Sequence, residues 1–452
     1  MKKFFPILII IEVFISFFPI SIFAQEKPRT GPDGYVRCGT SGYVTWLKAN
    51  DTSFGTRFAA AERQIKIEEN KQIAEHRSGR TGIAGYTLPV VVHVLWGNDT
   101  EKIPLWQVQS QIAVLNRDYN RRNADTVNTP PVFRNTASGM NISFCLAQRD
   151  PNGNPTDGVV YKQVPPTTQF IDNDAMKYPS KGGDTAWDVT KYLNIWVCNL
   201  AGGLLGYSVF PFMPLNARFG SVVLYSAFGD TVAPPCMLLA NYNLGRTATH
   251  EIGHLLDLHH PWADDYGLCP WNSGGASDSI PDIPPEGNNK SDGYGSGWGP
   301  TFGCPPFPYT DNCTTSFPGI MFENYMEYTN DACMNLFSHD QELRAQAALN
   351  GPLAPLLTSN GCTPLSVDDL TLSQQISVFP NPTDGKLNVE LAANGVEWSA
   401  EVFNVLSQPV YSQYRIKAKL AVIDLSGQPA GIYILRIANG TSVSCKKIIL
   451  TR

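Results

Sequence analysis

The chain has 452 residues, a formal net charge of -6 and a hydrophobic content of 43%. A chain of this length usually forms about two to four domains, because single cores rarely grow beyond about 250 to 300 residues. The apolar fraction is sufficient for such cores, and the charge balance lacks the basic excess of a nucleic-acid-binding protein. We therefore expect several globular domains and no nucleic acid as a partner.

The N-terminus has the layout of a secretory signal. Lys2 and Lys3 precede a long apolar run that ends at Ala24, and polar Gln25 follows it. This pattern predicts a signal peptide over residues 1–24. A retained membrane anchor is the alternative, because the apolar run is long and Glu12 alone adds a charge to it. No other segment is apolar enough to span a membrane, so none is expected after signal cleavage.

Residues 25–80 are polar and partly helical in pattern. The run AAAERQIKIEENKQIAEHR combines helix formers with mixed charge, and RSGRTG after it has the composition of an exposed, cleavable joint. We interpret residues 25–80 as a propeptide that is cut near Arg77 or Arg80.

Strand and helix patterns mix from Tyr86 onwards. TLPVVVHVLW, ISFCLAQRD, YLNIWVCNLA and GSVVLYSAF are typical of strands, whereas PLWQVQSQIAVLNRDYNRRN and HDQELRAQAALN are typical of helices. These runs predict an α/β (α+β) domain with a twisted mixed sheet over residues 81–358. Within it, residues 261–318 show no periodicity and predict a long structured loop region.

Residues 359–374 have the composition of a linker, and short alternating runs follow it. ISVFPNPTDG, KLNVELAA, LAVIDLSGQPAG and IYILRIANG are separated by turn residues at the spacing of a small antiparallel fold. They predict an all-β sandwich domain over residues 375–452. On the residues alone, this domain would be a small carbohydrate- or protein-binding module.

The stretch HEIGHLLDLHH, residues 250–260, has the spacing of a metal site. His250 and His254 lie on one face of a helix, so their imidazoles can bind one ion. Glu251 brings a carboxylate beside the open position of that ion, where it can take a proton from bound water. The alternative is a pair of partly exposed histidines on an amphipathic helix.

A third ligand requires a bend in the chain. On a continuous helix, His260 would stand about 15 Å along the axis from His250, too far for one ion. A break near Asp257 would let the chain turn back and bring His260 to the ion. Aspartate tolerates the left-handed conformation of such a break at a penalty of about 1 kcal/mol.

Three other third ligands are possible. Asp257 shares the face of the two histidines, but three side chains in a row along about 10 Å of helix cannot surround one ion. His259 would face away from the ion if the chain turns as described, and residues 261–290 offer no helix that could carry a glutamate ligand. We therefore predict a site formed by His250, His254 and His260.

These residues carry a family resemblance. HEIGHLLDLHH resembles the long zinc motif of the metzincins, with Asp257 where that family usually has Gly, and MFENYMEYTNDACM resembles the Met-turn region of their pappalysin branch. The similarity covers residues 85–350. It implies one catalytic zinc ion, an apolar floor under the site from Met326, and a stabilising contact from Tyr328 to the oxyanion. Ordinary core packing is the alternative for Met326 and Tyr328.

The resemblance also implies further features of the loop region. The family would pair Cys269 with Cys313 and Cys304 with Cys333. Similar proteins can bind calcium there, and Asp278 and Asp282 offer oxygen ligands for such an ion. The family often cuts next to basic residues, although no specificity pocket can be assigned to particular positions from the sequence.

A cysteine in the propeptide suggests latency. Cys38 lies in YVRCGTSG, and its thiolate would be a strong zinc ligand able to displace the catalytic water. The segment resembles the cysteine switch of metzincin zymogens. A disulfide with another cysteine is the alternative, and the roles of the remaining five cysteines stay open: Cys145, Cys198, Cys236, Cys362 and Cys445.

The C-terminal domain resembles the sorting domains that direct cargo through the type IX secretion system. The resemblance rests on SVFPNPTDGKLNVEL, VFNVLSQPVY, PAGIYILRIANG and the closing KKIILTR. It implies a protein that is secreted or attached to the cell surface, with the secretion machinery as a partner.

Together these features predict a secreted zinc endopeptidase that is made as a latent zymogen. Its substrates would be proteins or peptides bound in extended form along the sheet edge, and Glu251 would activate the zinc-bound water. The alternative is a secreted adhesive or binding protein with a metal site but no turnover, which would have no need of Glu251 as a general base.

Overall fold

The computed structural model describes most of the chain as two compact units. The described residues are 30–77, 85–230, 237–264, 268–269, 278–287, 299–364, 376–391, 397–406, 408–439 and 442–451. The first unit contains residues 30–147 and 157–362, and the second contains residues 148–156 and 363–451. The expected signal peptide, Arg80 and most of the expected linker lie outside the described residues. Within the described part of the chain, no helix combines the length and the apolar character needed to cross a membrane.

The first unit combines a sheet with helices, which confirms the predicted mixed fold class. Its helices are α1 (Thr40–Asn50), α2 (Phe54–Arg77), α3 (Leu105–Asp118), α4 (Arg246–Leu255) and α5 (His339–Asn350). Its strands are β1 (Tyr86–Trp96), β2 (Ala137–Ser138), β3 (Ile142–Leu146), β4 (Val159–Gln163), β5 (Leu193–Cys198), β6 (Gly206–Tyr207), β7 (Ser221–Leu224) and β8 (Phe337–Ser338).

The main sheet has the strand order β3-β1-β5-β7-β6, and β4 pairs with the second half of β1. All of its pairs are parallel except β6 with β7, which is antiparallel. Strand β1 is buried from Leu88 to Leu95, as expected for a central strand covered on both faces. The short strand β6 therefore forms one edge of the sheet.

Helix α4 is fixed to the C-terminal end of α3 by buried polar contacts. The guanidinium of Arg246 lies 3.0 Å from the Asp118 carboxylate, and the Thr249 hydroxyl donates to the same carboxylate at 2.7 Å. The Tyr119 hydroxyl donates to the Thr249 carbonyl. Because buried polar groups need partners, these bonds set the rotation of α4 about its axis. That rotation decides which side chains of α4 face the cleft.

An irregular region follows α4, as the sequence predicts. No described residue between Leu256 and Leu336 belongs to a helix or an extended strand. Disulfides join Cys269 to Cys313 and Cys304 to Cys333, the pairs that the family resemblance implies. The region ends at α5, whose first turn is closed by a capping box between Ser338 and Gln341.

Helices α1 and α2 belong to residues 30–77, which we call the N-terminal segment. Helix α2 packs along α5 and buries Phe54, Ala61 and Ile65. The ring of Phe54 also meets that of Phe212 at 5.7 Å between centroids. The N-terminal segment is thus packed onto the first unit through an apolar face.

The second unit is an antiparallel β-sandwich, as the sequence predicts. Its strands are β9 (Ile376–Phe379), β10 (Lys386–Leu391), β11 (Trp398–Phe403), β12 (Pro409–Ile416), β13 (Leu420–Asp424), β14 (Gly431–Asn439) and β15 (Ser442–Leu450). They form two sheets, ordered β13-β10-β9 and β12-β11-β14-β15. Alternate residues such as Leu387, Val389, Leu435 and Ile437 point inward and form a separate core.

Candidate metal centre and active site

Three histidines converge below the sheet edge, and all three are fully buried. His250 and His254 lie one turn apart on α4, and His260 follows the end of that helix. Each ring binds an acceptor of the chain through Nδ1, which leaves Nε2 free to bind an ion. These acceptors are the carbonyl oxygens of Tyr325 and Leu258 and the carboxylate of Asp264, at 2.8, 2.8 and 2.9 Å.

The geometry of these nitrogens fits a tetrahedral metal ion. The Nε2 atom of His260 lies 3.2 Å from that of His250 and 3.1 Å from that of His254. Ligands about 2.1 Å from an ion at tetrahedral angles lie about 3.4 Å apart. Burial lowers the pKa of His250 and His254 well below the usual range, and the neighbouring imidazoles add to the effect. The rings of His250 and His254 therefore stay neutral, and the Nε2 atoms of the cluster face one another at the spacing of ligands around one cation.

The bend that brings His260 into the cluster occurs at Asp257, as predicted. Helix α4 ends at Leu255, and Asp257 has a φ of 70°, in the left-handed region. The Leu258 amide donates to the Gly253 carbonyl at 3.0 Å, which closes the turn. The chain then reverses and carries His260 back towards the helix.

A buried arginine holds this bend in place. Arg344 of α5 donates through Nε to the Asp257 carbonyl at 2.9 Å, and its guanidinium lies 2.6 Å from the Asp257 carboxylate. Burial raises the pKa of Asp257, and Arg344 opposes that increase. Glu62 of the N-terminal segment accepts hydrogen bonds from Nη2 of the same guanidinium at 3.0 and 3.2 Å. Sequence reasoning missed Arg344, because its partner is 87 residues away.

The rival ligands lie outside the histidine cluster. His259 stacks on Phe210 at 4.3 Å between ring centroids, and its Nε2 lies 3.9 Å from the Glu62 carboxylate. Together with Asp257, these two residues form a second group of donor atoms. The predicted ligand His260 is therefore in the cluster, whereas Asp257 and His259 are not.

Glu251 faces the cluster from α4. Its Oε2 accepts a hydrogen bond from the Thr40 hydroxyl at 3.2 Å and lies 3.5 Å from Cys38 Sγ. Its Oε1 makes no hydrogen bond with the described part of the chain. Burial raises the pKa of Glu251 to about 8, while the bonds from Cys38 and Thr40 oppose the increase.

Two glycines allow close contacts of α4 with β6 and with Met326, and sequence reasoning missed both of them. A Cβ atom on Gly206 would lie 3.0 Å from Glu251 Cγ, and a Cβ atom on Gly253 would lie 2.4 Å from Met326 Sδ. Any larger side chain at either position would displace the neighbour. Gly253 interrupts a helical pattern, and this signal could have indicated a close approach.

Met326 and Tyr328 lie on the other wall of the site. Met326 is fully buried beneath α4 at Gly253, where the predicted apolar floor would be. The Tyr328 ring packs against His260 at 5.0 Å between centroids, and its hydroxyl donates to the Cys38 carbonyl at 3.1 Å. The hydroxyl thus contacts a peptide carbonyl that lies in the cleft.

The N-terminal segment runs through this cleft and brings Cys38 to the histidines. Cys38 Sγ lies 3.4 Å from His254 Nε2 and belongs to one group of potential metal ligands with the three histidines. Its thiol forms no disulfide with any described cysteine. Burial raises the pKa of this thiol, and the Glu251 charge adds to the increase. A metal cation would have the opposite effect, because it favours the thiolate.

Backbone hydrogen bonds attach the segment to the sheet edge beside β6. The Val36 amide donates to the Gly203 carbonyl at 3.0 Å, and the Leu205 amide donates to the Val36 carbonyl at 2.9 Å. The Gly39 amide then donates to the Gly206 carbonyl at 2.9 Å. The segment therefore occupies the edge where the sequence predicts an extended substrate.

Arg37, the residue before Cys38, enters a buried pocket. Its guanidinium lies 2.8 Å from the Asp331 carboxylate, and only 1% of Arg37 is exposed. The Cζ atom of Arg37 lies over the Tyr242 ring, 5.0 Å from its centroid. Asp331 also accepts the backbone amides of Leu244 and Arg246, which hold the carboxylate in the pocket. No sequence signal singled out Asp331.

The remaining predictions concern calcium and the unassigned cysteines. Asp278 accepts the Ile280 amide, and Asp282 accepts the Asp340 amide. Neither aspartate belongs to a group of potential metal ligands among the described residues, so calcium stays a prediction. Cys145 is joined to Cys362. Cys198 and Cys445 pair with no described cysteine, and Cys236 lies outside the described residues.

Two family profiles match separate parts of the chain. Residues 179–350 match the family described as pregnancy-associated plasma protein-A, and residues 377–451 match the secretion system C-terminal sorting domain. An extracellular metalloprotease of Colletotrichum graminicola is 30% identical over 300 residues, which are 63% of this chain and 85% of that protein. Another from Arthroderma otae is 29% identical over 269 residues, which are 59% of this chain and 78% of that protein.

Solved structures show the same similarity. Mature mirolysin of Tannerella forsythia, in complex with a cleaved peptide, is 43% identical, with a TM-score of 0.55 over 61% of this chain and 96% of that one. A promirolysin mutant from the same organism is 39% identical, with a TM-score of 0.59 over 71% of this chain and 96% of that one.

We predict that the Arg344 contact with Asp257 is needed for the metal centre. Arg344→Ala would leave a buried carboxylate without its cation, and we expect the free energy of unfolding to fall by about 3 to 5 kcal/mol. The variant should also lose metal to a chelator faster, because the bend that carries His260 is no longer held. Thermal unfolding and metal release would measure both effects.

Arg436→Ala is the control for this substitution. It breaks the exposed contact between Arg436 and Glu401, so a change of less than about 1 kcal/mol is expected. The prediction is wrong if Arg344→Ala unfolds and releases metal no more readily than this control.

Proposed function

Because the chain belongs to the pappalysin family of secreted metalloendopeptidases, we propose that it cuts proteins at a zinc site held by His250, His254 and His260, and that it is made as a latent precursor. One observation carries the proposal. Three buried imidazole nitrogens converge at the spacing of a tetrahedral ion, with a carboxylate beside them and a thiol facing them. Three neutral imidazoles and one open position are the ligand set of a catalytic zinc ion.

The residues around the site have distinct tasks in peptide hydrolysis. A bound zinc ion would supply a Lewis acid that lowers the pKa of a water molecule and polarises the scissile carbonyl. Glu251 would accept the proton of that water and pass it to the leaving amine. The Tyr328 hydroxyl would donate to the developing oxyanion, a role supported by its present bond to the Cys38 carbonyl.

Latency would follow from the position of the N-terminal segment. Cys38 would be the fourth metal ligand, as a thiolate, and would exclude the catalytic water, while the Thr40 hydroxyl donates to Glu251. The same segment fills the sheet edge that an extended substrate would need. Cleavage after α2, near Arg77 or Arg80, would allow the segment to leave.

We propose that Asp331 selects substrates with a basic side chain beside the cleaved bond. Arg37 supports this, because its guanidinium fills a buried pocket whose charged group is Asp331. When the segment leaves, a buried carboxylate remains without its cation, which costs free energy until another cation replaces it. An arginine or lysine of a bound substrate would supply that cation.

Glu251→Gln in the processed chain should lower kcat/KM for a protein or peptide substrate by about 100-fold to 10,000-fold, because an amide cannot accept the proton. The size of the side chain is kept, so metal content should not change. Cleavage assays and metal analysis would test this. Glu323→Gln is a matched control, since Glu323 is also buried, has a pKa raised to about 7 by burial, and lies outside the histidine cluster. Equal activity of wild type and Glu251→Gln would exclude Glu251 as the general base, and no activity in either chain would favour a binding protein.

In the uncleaved precursor, Cys38 should bind the metal directly. Cobalt substituted for zinc would give a thiolate-to-cobalt charge-transfer band, and Cys38→Ala should abolish it. The precursor with Cys38 and the Cys38→Ala precursor would both carry Glu251→Ala, which prevents self-cleavage during the measurement. Cys445→Ala, at an exposed cysteine of the second unit, should keep the band. An unchanged band in Cys38→Ala would exclude this latency mechanism.

The pocket at Asp331 should discriminate by charge. Peptides with arginine at the position that enters the pocket should be cut with a kcat/KM about 30-fold or more above that of matched citrulline peptides, because citrulline keeps the shape of arginine without its charge. Asp331→Asn should bring this ratio close to one. Asp331 also accepts hydrogen bonds from two backbone amides, so Asp331→Asn can lower kcat/KM for the arginine and the citrulline peptide alike. The ratio of the two values is therefore the quantity to measure. A ratio near one in the wild type would contradict the proposal.

A further inference from the structure

A second side chain of the N-terminal segment is buried in the first unit. Tyr43 lies one turn into α1 and has no exposed surface. Its hydroxyl donates to Asp174 Oδ2, and its ring packs against Tyr207 of β6 at 4.9 Å between centroids. Burial raises the pKa of the Tyr43 hydroxyl, and Asp174 adds to the increase, so the hydroxyl keeps its proton and donates.

The side chains around Tyr43 form a pocket, which we call the Asp174 pocket. Its other residues belong to the body of the first unit. Asp174 is 1% exposed, and its Oδ1 lies 3.0 Å from Lys177 Nζ. The ammonium group of Lys177 also donates to the carbonyls of Arg218 and Gly220. The Asp174 amide donates to the Tyr207 hydroxyl at 3.3 Å. These contacts do not involve Tyr43, so they would hold Asp174 after the segment has left.

The pocket adjoins the edge on which the segment lies. Gly206 and Tyr207 form β6, and the Gly39 amide bonds to the Gly206 carbonyl. Ser208, the next residue, donates its amide to the Thr40 hydroxyl at 2.9 Å. Arg37 precedes Cys38 by one residue, and Tyr43 follows it by five. The N-terminal segment, which becomes helical at Thr40, therefore reaches the Asp331 pocket with one side chain and the Asp174 pocket with another.

We propose that Asp174 and Tyr207 form a second specificity pocket, which accepts a tyrosine side chain of the substrate on the other side of the cleaved bond from the basic residue. This inference rests on the proposed peptidase function. Tyr43 would occupy the pocket in the precursor, as Arg37 occupies the pocket of Asp331.

The contacts in the pocket favour the side chain of tyrosine over those of phenylalanine and glutamate. Once Tyr43 leaves, Asp174 Oδ2 loses its hydroxyl donor, while Lys177 Nζ stays 3.0 Å from Oδ1 and Arg218 Nε lies 3.6 Å from Oδ2. A phenylalanine would restore the ring contact with Tyr207 but would leave this oxygen without a hydroxyl donor. A glutamate would bring a second carboxylate beside Asp174, and like charges disfavour it.

The test uses the processed wild-type chain and a set of peptides. Arginine is kept at the position that the Asp331 pocket accepts, and tyrosine, phenylalanine or glutamate is placed in turn at each of the positions across the cleaved bond. We expect one position at which kcat/KM for tyrosine exceeds that for phenylalanine about tenfold, the effect of one hydrogen bond to a charged acceptor.

A pair of variants then assigns the effect to Asp174. Asp174→Asn keeps an acceptor without the charge, which roughly halves the strength of the bond, so the ratio should fall to about threefold. Asp172→Asn is the matched control, because Asp172 is a neighbouring, partly buried carboxyl that no observed hydrogen bond links to Tyr43, and the tenfold ratio should remain. The wild-type ratio tests the proposal even if Asp174→Asn does not fold.

Three results would overturn the inference. Equal rates for tyrosine and phenylalanine at every position would exclude a phenol-selective pocket while leaving the peptidase function intact. A preference for glutamate would assign the pocket to Arg218 and anionic side chains. Cleavage of no peptide at all, with Glu251→Gln equally inactive, would overturn the proposed function and this inference together.

Discussion

The contact between Arg344 and Asp257 is the constraint on which the site depends. Three imidazoles can meet one ion only because the chain leaves the helical path at Asp257 and returns with His260. The left-handed conformation of an aspartate is unfavourable by itself, so something must hold it. Arg344 binds both the carbonyl and the carboxylate of Asp257, and because α5 is anchored by its own capping box, the bend has a rigid support.

The same arginine connects the bend with the N-terminal segment. Glu62 of α2 accepts hydrogen bonds from the Arg344 guanidinium, and Phe54 and Ile65 of the same helix are buried. The N-terminal segment is therefore held at two places, by helix α2 and by the backbone hydrogen bonds of residues 36–39 at the sheet edge. If α2 detaches from α5, the N-terminal segment is held less tightly in the cleft, although the metal ligands themselves are unchanged.

Local motifs could be interpreted from the sequence, whereas long-range contacts could not. The helix with two histidines, the bend at Asp257 and the β-sandwich follow from spacing, conformational preference and alternation, and the structure confirms them. Helix α1 and strand β4 were not predicted, because each is short and lacks a clear period. The roles of Arg344 and Asp331 depend on partners 87 and 294 residues away, and no pattern along one chain encodes such distances.

The disulfide between Cys145 and Cys362 has a consequence for what happens when the sandwich is detached. Cys362 is the last residue of the first unit, and the bond attaches it to strand β3. A cut anywhere downstream creates a new carboxyl terminus, and such ends normally fray. Here the terminus would be covalently anchored to the central sheet, so trimming or pulling at that end would not unravel α5 or disturb the bend that it supports.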